Sequence, residues 1–201
     1  MSSDTDQAQP SLLGAEDHAE GHGIGGDHAR LGGPVPGGVV EGGEEPPHPI
    51  NWNLLTADEA EAEWLDLNAW VNWLRMTYGL PPTVVPPYWH RHDELVWELS
   101  ALHTHWLNAY DPDGSPSAAL AWHRDFADAR NRLREWVSAC GTKLDRDRPT
   151  RLTVWPGDDP IEPGIEVVIE NRDDDFVTSV LADVAARRRV EEQARALARS
   201  W

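Results

Sequence analysis

Cysteine is all but absent from this chain: Cys140 is the only one in 201 residues. No disulfide can form within it, which fits a reducing compartment. Basic residues are scarce too, with 17 Lys and Arg against 35 Asp and Glu and a formal net charge of −18. The deficit is spread along the chain, since residues 1–48, 49–148 and 149–201 carry nets of −8, −6 and −4. Broad contact with nucleic acid or an anionic membrane needs a basic footprint that such a chain does not offer. No run of about 18 apolar residues occurs, so no membrane-spanning helix is expected. The opening MSSDTDQAQP lacks the basic and apolar regions of a secretory signal. A cytoplasmic location is therefore expected.

Aromatic residues are missing from residues 1–48, which hold nine acids and one base, Arg30. Glycine and proline runs such as LGGPVPGGVVEGG have no helical or strand period, and the composition favours a solvated chain over a core. A disordered acidic arm is expected there. Its His18, His22 and His28 form a histidine-rich tract to which no function is assigned.

Helical patterning begins near Ile50. Thr56 followed by Glu59 reads as a capping box, and Trp64, Leu67, Val71, Leu74 and Tyr78 recur at steps of three and four. Gly79 is a natural stop, so a first helix is predicted over 56–78. A second, over about 92–110, carries Leu95, Leu99, Leu102 and Trp106. A third follows Ser115-Pro116 with Trp122, Phe126, Ala129, Leu133 and Cys140, and Gly141 closes it. The fold class predicted is mainly α: a compact three-helix core in a Trp-rich domain over 49–148.

From 149 to 201 the character changes. RLTVW (151–155) and GIEVVIE (164–170) are β-branched runs that suggest a small hairpin. A C-terminal amphipathic helix should follow, its stripe Phe176, Val177, Val180, Leu181 and Val184 docked on the core or on a second copy. Residues 186–201 should project as a polar continuation.

Four of the nine histidines, His90, His92, His103 and His105, crowd into PPYWHRHDELVWELSALHTHW at 86–106. On a helix, His103 and His105 diverge by about 200°, while His92 and His103 lie about 16 Å apart along the axis. They cannot converge on one metal, and no HExxH or CxxC spacing repairs this. No metal, cofactor or catalytic residue is assigned; Asp93 and Glu94 suit the first turn of a helix. Cys140 falls on an apolar helical face and reads as core. Asp125 and Asp128 in WHRDFAD are neighbours on a helix, and Arg124 to Asp128 is an i,i+4 ion pair, which favours a solvated face over an acid/base dyad.

PxYWHRHDE, LxALHxHW and WHRDFADARNRL resemble an actinobacterial domain family of unknown function found in mobile-element and phage-associated proteins. Pro87, Trp89, His92 and Glu94 match its Pro-x-Trp-Trp-x-His-x-Glu segment. Ala101 and Leu102 match an Ala-Leu-Trp segment, and Trp122, Arg124, Asp125 and Asp128 match a Trp-Trp-Arg-Asp-His-x-Asp segment. The resemblance covers about 64–140. Val85-Pro86 stands where the family has Cys-Pro, and His103 and Phe126 stand where it has Trp and His. It implies a genomic setting and no activity.

Ten of the eleven tryptophans lie in 52–155, more indole than a three-helix core is expected to hide. The expectation is a non-enzymatic interaction or accessory protein that meets a protein partner or itself. Its candidate contacts are Trp70, Trp73, Trp89, His92, Trp97, Trp122, Phe176, Val180, Leu181 and Trp201. The alternative is a nucleic-acid-associated protein using Arg187, Arg188, Arg189, Arg195 and Arg199 of the C-terminal helix.

Overall fold

The computed structural model describes residues 47–162 and 164–200. The expectations for the N-terminal arm and for Trp201 lie outside the described residues. Among the described residues there are four α-helices, a 3₁₀ turn and one two-stranded ribbon: α1 (Ala57–Tyr78), the 3₁₀ turn (Trp89–Arg91), α2 (Asp93–Ala109), α3 (Ala118–Ala139), β1 (Arg146–Asp147), β2 (Val167–Val168) and α4 (Arg172–Ala198). The molecule is mainly α with a helical core, as predicted.

α1 starts where the sequence says it should. Thr56 Oγ1 accepts from the Glu59 backbone N–H, and Glu59 Oε2 accepts from the Thr56 backbone N–H at 2.8 Å. The reciprocal bonds satisfy two otherwise orphaned donors. The helix ends at Gly79, whose φ of 57° and ψ of 41° put it in the left-handed region open to glycine. Between these caps Leu67, Trp70, Val71 and Leu74 are buried. α2 turns Leu95, Leu99, Leu102 and Trp106 to the same core, and α3 adds Trp122, Phe126, Ala129 and Leu133. α3 begins at Ala118, later than the Ser115-Pro116 signal implies, because residues 115–117 are spent on a turn in which the two serine hydroxyls bond each other at 2.9 Å.

The ribbon differs from the predicted hairpin. β2 pairs antiparallel with β1, Val167 opposite Asp147 and Val168 opposite Arg146, while residues 151–155 form no strand. β-branched composition marks a segment as extended without naming its partner. Here the partner is fixed by Tyr88, whose buried hydroxyl lies 3.1 Å from Leu144 O and 3.2 Å from Ile169 O, shares its one proton between the two carbonyls and ties the two arms together.

α4 closes the fold. Asn171 caps it, its Oδ1 accepting from the Asp173 and Asp174 N–H groups, and Phe176, Val180 and Val184 bury an i, i+4, i+8 stripe. Val177 and Leu181, expected on that stripe, are exposed instead, because the stripe is one residue wide where α4 lies along α1. Docking also runs further than the apolar pattern suggests. Arg187 donates to Trp52 O and Leu55 O, and Glu191 Oε1 accepts from the Ala57 N–H at 2.8 Å. A carboxylate of one helix thereby sits on the positive end of another. Only beyond Glu191 are all side chains through Ser200 exposed. α4 thus packs on the helical domain as part of the same compact unit.

Candidate functional site: a polar latch around the histidine-rich segment

The histidines that crowd together in sequence part company in space, each reaching a different element. His90 Nε2 donates to Asp175 Oδ2 of α4 at 2.8 Å. His92 reaches β1 and the residues after it. His103 stacks on Trp70 of α1, ring centroids 4.9 Å apart, with Asp66 Oδ2 3.7 Å from its Nδ1. His105 Nε2 lies 3.2 Å from Asp125 Oδ2 of α3. The segment is a hub between elements.

Its centre is His92, which occupies the N-cap position of α2 yet makes no side-chain cap bond. The ring turns inward instead and is 1 % exposed. His92 Nε2 sits 2.8 Å from Asp147 Oδ1, and Nδ1 sits 2.9 Å from Thr150 Oγ1. The Thr150 hydroxyl in turn donates to Glu94 Oε1 at 2.7 Å. Counting donors fixes the protonation state. Asp147 can only accept, so Nε2 must carry a proton. Thr150 spends its one proton on Glu94, so it can only accept from Nδ1, which must carry a proton as well. His92 is an imidazolium.

Burial opposes that charge, but the hydrogen bond to the Asp147 carboxylate and the nearby Cys140 sulfur outweigh it and push the His92 pKa up to about 9. Asp147 is itself buried, and its other oxygen is 3.9 Å from Arg91 Nη1. The buried charge pair is therefore matched on both sides, the condition under which such a pair is tolerated.

Two residues away the opposite holds. His90 is buried and its Nδ1 has no partner, so a second proton there would have nothing to bond. Burial accordingly pulls its pKa below the ordinary histidine value despite Asp175. Asp175 is held as a carboxylate: burial would raise its pKa, but Arg91, which donates through Nε (2.8 Å) and Nη2, together with His90, brings it down. Burial likewise lowers the pKa of His103.

Cys140, His92 and Asp147 together have the residue types of a nucleophile, base and orienting acid. Their placement does not serve that chemistry. All three are buried, and both imidazole nitrogens are already committed as donors. Among the described residues no group of three or more His, Cys, Asp and Glu side chains is placed to hold a metal ion. The arrangement can fasten residues 140–150 and the start of α4 onto the 3₁₀ turn and α2.

The expected contact residues fall into two groups. Trp70, Trp89, His92, Trp122, Phe176 and Val180 are buried, so they cannot meet a partner of the folded domain. Trp73 is half-buried, and Trp97 and Leu181 are exposed. The core hides more indole than expected because the rings pack on one another. Trp52, Trp64 and Trp89 form one cluster against Phe176, and Trp70, Trp73, Trp106 and Trp122 form another with Tyr78 and Tyr110. The α4 arginines are largely engaged: Arg187 with Asp183 and the carbonyls of Trp52 and Leu55 ahead of α1, Arg188 with Asp58 and Glu61, Arg195 with Glu191. Arg189 and Arg199 are exposed.

Sequence reasoning missed Asp147, Thr150, Glu94 as a relay and Asp175, because partners 55 to 85 residues apart leave no local pattern. It also missed an exposed segment. Between the latch and β2, residues 151–162 are exposed throughout, and Leu152, Val154, Trp155, Ile161 and Ile165, with Val167 and Val168 of β2 itself, face solvent. No helix of the described residues is long and apolar enough to cross a membrane. No protein-family model, curated protein or solved structure matches this chain.

Proposed function

We propose that this protein is a non-enzymatic interaction module whose helical platform presents the strap of residues 151–168 to a protein partner. One observation carries the reading: seven large apolar side chains stand exposed among the described residues of that strap, Trp155 at 71 % and Ile165 at 82 % of their full accessibility. Its ends are pinned, one by His92 to Asp147 and Thr150, the other by Tyr88 to Ile169 O and by the Asn171 cap of α4. Holding both ends removes part of the ordering entropy that binding would otherwise cost, and covering the segment removes apolar area from water. Trp is a residue type enriched at the energetic centre of interfaces.

The chemistry-bearing residues favour this over catalysis, since they are consumed in holding the strap. The engaged α4 arginines and the net charge disfavour the nucleic-acid reading. The lone cysteine and the resemblance over 64–140 support a cytoplasmic setting in an actinobacterial mobile element or phage.

A photo-crosslinking side chain at position 155, compared with one at the exposed Leu120 of α3, tests the proposal in native cells. The expected result is one reproducible adduct from 155 alone. The reconstituted pair should then lose about ten-fold or more in affinity on Trp155→Ser with Ile165→Ser. Diffuse adducts shared with position 120 overturn the reading, as does a reconstituted pair indifferent to those substitutions.

A further inference from the structure

We infer that the partner met by the strap is a second copy of this chain, paired antiparallel along residues 151–155 about a two-fold axis at Thr153. The inference rests on the interaction reading above and names its occupant.

The backbone sets the edge. From Arg148 to Trp155 the chain runs without helix, turn or bend. In such an extended run the N–H and C=O of one residue point to the same edge, and those of the next residue to the other. Two bonds tell the edges apart. Ile169 N–H donates to Asp145 O at 3.0 Å and Trp155 N–H to Asp158 Oδ2 at 2.9 Å, so odd-numbered residues of this arm face the returning one. The arms stay close beyond the ribbon, since a Cβ on Gly164 would stand 2.6 Å from Pro149 Cδ. Leu152 and Val154 therefore turn their backbone groups to the outer edge, where they make no hydrogen bond among the described residues. Both residues are exposed. An open, β-branched edge is a template for a further strand.

The sequence of that edge fits its own reverse. With the axis at Thr153, Leu152 faces Val154 of the other copy and exchanges two hydrogen bonds with it; symmetry makes four. Thr153 faces Thr153, and Arg151 faces Trp155, a cross-strand pair that sets a guanidinium beside an indole. Neighbouring registers fit less well. An axis at Leu152 recruits Thr150, which is half-buried in the latch, and an axis at Val154 brings in Pro156, which has no N–H. Charge agrees with the central register. The basic end of one copy, Arg148 and Arg151, lies toward the acidic end of the other, Asp158, Asp159 and Glu162, and all five are exposed. This match offsets locally the repulsion between two chains of net charge −18.

The test is disulfide formation between full-length chains in a glutathione redox buffer, with the buried Cys140 present throughout. Facing residues at Thr153 have Cα atoms about 4.5 Å apart, within the span of a disulfide. Thr153→Cys should therefore link into a dimer about ten-fold or more faster than Leu120→Cys on exposed α3. Arg151→Cys, whose counterpart across the axis is Trp155, should link at the Leu120→Cys rate. Adding Val154→Pro to Thr153→Cys removes an outer-edge N–H and should bring linking down to that rate. Val154 is exposed and its N–H unbonded, so the melting temperature should not move. The second copy is overturned if Thr153→Cys links no faster than Leu120→Cys, if Arg151→Cys links as fast as Thr153→Cys, or if Val154→Pro leaves the rate unchanged. A position-155 adduct with a different protein beside any of these results removes this occupant and leaves the interaction reading standing.

Discussion

His92 and Asp147, 55 residues apart in sequence, meet at 2.8 Å inside the fold with both side chains shut off from solvent. The contact joins the N-terminus of α2 to β1 and so decides where the strap begins. Removing either member strands the other as a buried charge.

The pH dependence of stability follows from that pair. The His92 pKa rises from the ordinary 6.5 to about 9 on folding. Its contribution to stability is complete below 6.5, declines between 6.5 and 9, and is gone above 9. The difference in melting temperature between wild type and His92→Gln should therefore be widest on the acid side of this window and shrink across it. A constant difference over the whole range would mean that the ring is not charged in the folded state.

Asp147→Ala leaves the imidazolium without its counter-charge and should cost about 3–5 kcal/mol in denaturant unfolding. The Asp147→Ala, His92→Leu double variant should recover part of that loss, because the stranded charge goes with its partner. Additive losses would contradict direct coupling.

Acid should act on a different set of groups. His90 and His103 have pKa values lowered by burial, so the fold resists their protonation and loses stability as pH falls below the ordinary histidine value. Asp175, held low by Arg91 and His90, adds a loss at still lower pH, as its carboxylate is protonated. Replacing His90 with Gln, which keeps a donor for Asp175 and cannot take a second proton, should flatten the first of these limbs. An unchanged acid limb would place the loss elsewhere.

The helices were legible because their signals are local. Thr56 and Glu59 mark the start of α1, Gly79 its end, and three- and four-residue steps give the buried faces of α1, α2 and α3. The latch was not legible, since nothing near His92 announces Asp147 or Thr150. The ribbon was misread for the same reason: β-branching flagged Val167 and Val168 but also Val154, which pairs with nothing. Abundance of tryptophan suggested an exposed aromatic face, whereas ring-on-ring packing hides Trp70, Trp89 and Trp122 and leaves the exposed indole of Trp155 on a segment with no periodic signal.

α4 should divide in two. Phe176→Ala removes a ring buried against Trp64 and Trp89 and should cost about 3–5 kcal/mol. Val190→Ala and Leu197→Ala change exposed side chains and should stay within about 0.5 kcal/mol. Amide exchange should be slow over 176–184 and fast beyond Glu191; uniform protection along α4 would indicate that its C-terminal turns are covered in solution.

Trp155 and Trp122 make a matched pair of probes. Trp122 is wholly buried and Trp155 is 71 % exposed. Trp122→Ala should cost about 3–5 kcal/mol in chemical denaturation. Trp155→Ser should leave the unfolding midpoint unmoved, and a large loss there would show that the strap is part of the core.

The protonation state of His92 is the most direct measurement of all. Imidazole ¹⁵N NMR of the folded chain should find both ring nitrogens of His92 protonated at neutral pH, with a titration midpoint near 9, while His90 stays neutral with its proton on Nε2. A neutral His92 at the same pH, titrating at or below 6.5, would contradict the latch.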